Sequence, residues 1–122
     1  MRRLVVGLVL ASVLAVSAPV SAASAPAAAF IDVILSSTVG DSLTALSSGP
    51  TDTAGRLKLR AAIATDRAAL AAIVPDACVL SNYVGWLDVL TLGEASLDLY
   101  DQGELTASTA VLLMMTDRIN TL

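Results

Sequence analysis

"ELTASTAVLLMMTDRINTL", residues 104–122, decides the fold. Leu105, Ser108, Leu112, Met115, Ile119 and Leu122 recur at intervals of three and four. At about 100° per residue these positions share one stripe of a helix, the kind of seam that packs into a bundle. Within it, "VLLMM" (111–115) is apolar around most of the circumference. That pattern describes either a central buried helix or one that offers Val111, Leu113 and Met114 to a partner.

Moving back along the chain, "DQG" (101–103) reads as a turn. Before it, Val79, Tyr83, Trp86, Leu87, Leu90 and Leu97 mark one side of a helix that runs to about residue 100, with Gly93 as its weak point. Pro75 stops the preceding helix, which spans about 53–74, and Asp76 is placed to cap the next one. "SSGPTD" (47–52) separates that helix from a first one over about 27–46, whose stripe is Ile31, Leu35, Val39, Ser42 and Leu46. No stretch alternates with period two. Four helices joined by short loops predict an all-α, antiparallel up-down four-helix bundle over 27–122.

The N-terminus has a different character. "MRR" precedes an unbroken apolar run, residues 4–16, and "SAPVSA" then places Val20 and Ala22 at the −3 and −1 positions of a cleavage site. The run is shorter than the roughly 20 residues that cross a bilayer. Residues 1–22 therefore read as a cleaved signal peptide, followed by a flexible lead over 23–26. The expected destination is secretion, or the periplasm where an outer membrane exists, with no integral span after cleavage.

The remaining chain carries five basic groups against eleven acidic ones, a net charge of −6. Such a surface repels phosphate backbones, which argues against nucleic acid as a partner. The chain has no histidine, so neither a Ser–His–Asp nor a Cys–His arrangement can be assembled. The helical di-metal pattern also fails, because it draws on Glu-x-x-His motifs. No glycine-rich phosphate loop and no zinc-type cysteine spacing occurs. The expectation is no catalytic residue, no metal and no cofactor. The single cysteine, Cys78, reads as a small buried apolar residue, with pairing between molecules as the alternative.

Two acids contradict the pattern. Asp66 falls in the stripe of Leu59, Ile63, Leu70 and Ile73, and Glu94 lies on the side of Leu87, Leu90 and Leu97. Neither has a cation three or four residues away on its own helix. A buried, unanswered charge costs several kcal/mol, so each partner must come from another helix. Folding back at Pro75 sets Glu94 level with Arg56 and Asp66 beside Tyr83. A second reversal at 102–103 brings Arg118 toward Asp66. The expected pairs are Glu94 with Arg56, and Asp66 with Tyr83 or Arg118, fixing register between helices otherwise liable to slip.

Three functions compete at this point. The leading one is a non-enzymatic module acting on a protein partner or on a second copy, through a surface drawn from Tyr83, Trp86, Leu90, Val111, Leu113 and Met114. The second is a carrier or sensor that holds a small apolar ligand among the Trp, Tyr, Leu and Met side chains. The third is an arginine-based enzyme for a small anion, using Arg56, Arg60 and Arg67 if they converge.

Overall fold

The computed structural model describes residues 24–47 and 53–122. The signal-peptide segment and most of the 47–52 breaker lie outside them. Among the described residues the chain is all-α, with no strand. The helical segments are α1 (Ala25–Ser36), α2 (Val39–Ser47), α3 (Thr53–Ala71), α4 (Leu80–Asp101) and α5 (Leu105–Thr121).

The helix expected over 27–46 is two segments. Ser24 caps α1 by accepting from the Ala27 amide at 3.2 Å, and Pro26 sits in the first turn, where its missing N–H costs nothing. Residues 24–26, expected as part of a flexible lead, thus belong to the helix and its cap. At Ser37 the backbone turns extended (φ −65°, ψ 136°) and the helical ladder stops. The Ser37 hydroxyl oxygen then accepts from the Val39 amide at 3.2 Å, which starts α2. The interruption resets the helical phase. Val39, Leu43 and Leu46 go into the core with Phe30, whereas Leu35, expected in the stripe, is about half exposed. Ala25–Leu46 as a whole, at mean hydropathy 1.3, is long and apolar enough to cross a membrane, and the Ser37 interruption falls inside it.

α3 ends at Ala71, three residues before the expected boundary. A residue preceding proline avoids the helical region, so the helix closes before it reaches Val74. Its last turn tightens through Ile73 N–H to Leu70 C=O at 3.0 Å. Residues 73–76 then run without helical structure, and the chain reverses over 76–80. There the Asp76 carbonyl accepts from the Val79 and Leu80 amides, and its side chain accepts from the Cys78 amide at 3.1 Å.

α4 continues unbroken through Gly93. It ends in paired closing bonds, from the Gly103 amide to the Tyr100 carbonyl at 3.0 Å and from the Glu104 amide to the Leu99 carbonyl at 2.9 Å. Gly103 takes φ 81°, a conformation that only glycine adopts without strain.

From α2 onward, helices that follow one another in sequence pack side by side, most extensively α4 with α5. α1 lies chiefly on α3 and also sets Phe30 6.4 Å from the Tyr83 ring. The core joins Leu59, Ile63 and Leu70 of α3 to Trp86, Val89, Leu90 and Leu97 of α4, and to Leu112 and Met115 of α5. Small residues bring α4 and α5 close. A Cβ on Gly93 would fall 2.6 Å from Ile63 Cδ1 and 2.9 Å from Met115 Cε. One turn on, buried Ser96 and Ser108 exchange hydroxyl-to-carbonyl hydrogen bonds of 2.8 and 2.7 Å.

Candidate functional site

Asp66 is 3% exposed, as its place in the apolar stripe requires. Its Oδ2 accepts from the Ser37 hydroxyl at 2.5 Å and from Trp86 Nε1 at 3.0 Å. Three segments meet at that oxygen: the α1–α2 interruption, α3 and α4. A carboxylate oxygen takes two donors readily, and a buried indole N–H needs one acceptor. The pairings expected for Asp66 are therefore replaced. Tyr83 donates its hydroxyl to the Leu70 carbonyl at 2.9 Å, and Arg118 holds Asp88 at 3.4 Å. Sequence reasoning misses Ser37, a residue that answers Asp66, because it lies off the expected apolar stripe of the first helix, where a serine reads as solvent-facing. The signal that marks it is "SST" (36–38), a run that favours caps over helix interior.

Glu94 is also answered by a different cation. Arg67 donates to Glu94 Oε1 and, at 3.3 Å, to Thr91 Oγ1. Arg56, its expected partner, stacks its guanidinium 3.5 Å above the Tyr100 ring. Arg60 reaches Asp98 at 3.4 Å and Asp101 at 3.1 Å. The register explains these changes. The non-helical residues 73–76 advance the chain by more than the 1.5 Å per residue of a helix, so α4 starts displaced from a hairpin folded at Pro75. Every expected α3–α4 partner shifts accordingly.

The three arginines of α3 thus form a ladder along α4, each engaged with its own acid or ring, instead of converging on one point. Among the described residues no three acidic or thiol side chains gather in a group that could hold a metal ion. A cleft of about 80 Å³ lies between Leu46, Arg56, Tyr100, Leu105, Ser108, Thr109 and Leu112. Sites for drug-sized molecules run to about 300 Å³ and more, so this one suits a molecule of a few non-hydrogen atoms.

The six residues proposed as a surface fall into two sets. Trp86 and Leu90 are core, and Tyr83 is half-buried with its hydroxyl already engaged. Leu113 and Met114 are 66% and 56% exposed on the outer side of α5, with Val111 half-buried at its edge. Cys78 is exposed and free in the α3–α4 connection, which replaces the buried reading. Around it Val74, Leu80 and Val84 are also exposed.

Comparison with known proteins adds nothing to these geometries: no family model, no curated protein and no solved structure matches the chain.

Proposed function

We propose that this is an exported, non-enzymatic four-helix module that works by protein contact, with α1 and α2 together forming its first arm. The observation that carries the reading is the exposure of Leu113 and Met114 side by side on α5. Contact surfaces expose apolar side chains together, and two large ones exposed in succession on one helix support such a surface here. The titratable groups support the same reading, since the arginines of α3 are already occupied within the fold. Export rests on the basic start, apolar run and small-residue cleavage pattern of residues 1–22.

A photo-reactive side chain placed at position 114 tests this. The expected result is an adduct of one defined mass, either with a second copy or with one other exported protein. No defined adduct in either the pure protein or the exported fraction overturns the reading.

A further inference from the structure

Glu104, Ala107, Val111, Met114 and Arg118 step by three, four, three and four residues, so they form one strip along α5. It flanks the buried stripe of Ser108, Leu112 and Met115. Glu104 and Arg118 are exposed, Ala107 and Val111 half-buried, and Met114 more than half exposed. The strip is arranged symmetrically. Glu104 and Arg118, of opposite charge, each stand seven residues from Val111. Ala107 and Met114, small and large, stand four before it and three after.

Resting on the contact reading above, we propose that the partner at this face is a second copy of the chain, its α5 antiparallel to the first about Val111. A two-fold axis at Val111 makes each contact occur twice. Met114 of one copy fills the space over Ala107 of the other, and Glu104 of one faces Arg118 of the other. Both charged groups are available for this. Glu104 makes no side-chain capping hydrogen bond in α5. Arg118 holds Asp88 through one nitrogen at 3.4 Å, and a guanidinium carries five N–H donors. The antiparallel course also opposes the two helix dipoles, which favours this orientation. A contact between single helices of this length lies at the small end of specific interfaces, so the dimer is expected to be weak.

Charge reversal with mixing tests the arrangement. Glu104→Arg alone sets two pairs of cations together, and Arg118→Glu alone sets two pairs of carboxylates together. Each variant is expected to dimerise about tenfold more weakly than the parent in sedimentation equilibrium under reducing conditions. An equimolar mixture restores both pairs and is expected to return the association to the parent level. Thermal melts of each variant identify any loss of fold, including one caused by setting a second carboxylate beside Asp88 in the Arg118→Glu variant. Recovery in the mixture cannot arise from two misfolded partners. If both reversals leave self-association intact, or the mixture stays as weak as its components, the α5 pairing is wrong while the contact reading stands. A parent that remains monomeric up to millimolar concentration also overturns the pairing, and an adduct from position 114 with another protein would then preserve the broader reading.

Discussion

Replacing Ser37 by alanine removes two interactions at one atom: the donor to buried Asp66 and the acceptor for the Val39 amide. A hydrogen bond to a charged group contributes about 1.5–3 kcal/mol. The cap contributes about 1 kcal/mol more. Together they make a loss of about 3 kcal/mol, a substantial share of the roughly 5–15 kcal/mol that holds a domain of this size. At about 4–8 °C per kcal/mol, the melting temperature followed by helical circular dichroism is expected to fall by roughly 12–24 °C. The decisive measurement repeats the substitution in an Asp66→Ala background. There only the cap remains to be lost, so Ser37→Ala is expected to cost about 1 kcal/mol, leaving a coupling of about 2 kcal/mol between the two positions. Coupling below about 0.5 kcal/mol would mean that the hydroxyl and the carboxylate act independently. The account of why an acid sits in the apolar stripe would then be refuted.

Other substitutions probe the remaining features. Gly93→Ala places a methyl against Ile63 and Met115, both fully buried, and the overpacking of about 1–3 kcal/mol is expected to outweigh the helix-propensity gain of about 1 kcal/mol. A denaturant midpoint that rises instead would show that Met115 swings aside freely. Ser96→Ala and Ser108→Ala are each expected to cost about 1 kcal/mol, and the double variant close to their sum, because each hydroxyl donates to the other residue's backbone carbonyl, which alanine retains. A double variant much less costly than the sum in the same denaturant titration would contradict this. Gly103→Ala meets no neighbour, yet its φ of 81° predicts a loss of about 1–2 kcal/mol from backbone strain alone, read as a fall in the same midpoint. In the native protein, Cys78 is expected to react at once and stoichiometrically with a chromogenic disulfide; reaction only after unfolding would contradict its exposure.

Helical periodicity carried much of the architecture. The middle of the α5 stripe, Ser108, Leu112 and Met115, is buried as its spacing predicts, whereas Leu105 and Leu122 at its two ends are about half exposed and Ile119 is half-buried. The Leu59–Ile63–Leu70–Ile73 stripe is core with Asp66 inside it. What the sequence hid was non-local. Whether a polar residue interrupts a helix depends on what waits for its side chain, and the acceptor for Ser37 lies 29 residues away. Similarly, Pro75 announces a helix end, but the length of non-helical chain around it sets which rung of α3 meets which rung of α4. Misplacing that reversal reassigned Arg56, Arg67 and Glu94 together. The exposed pair Leu113 and Met114 was visible because five consecutive apolar residues cannot all face one side of a helix.

The chain has one tryptophan, and its indole N–H shares an acceptor oxygen with the hydroxyl that divides the N-terminal helix. That coincidence gives the protein a native optical probe. Any event that lifts the first arm from the body alters the polarity around the chromophore, so the emission maximum of the unlabelled protein reads out docking of that arm directly.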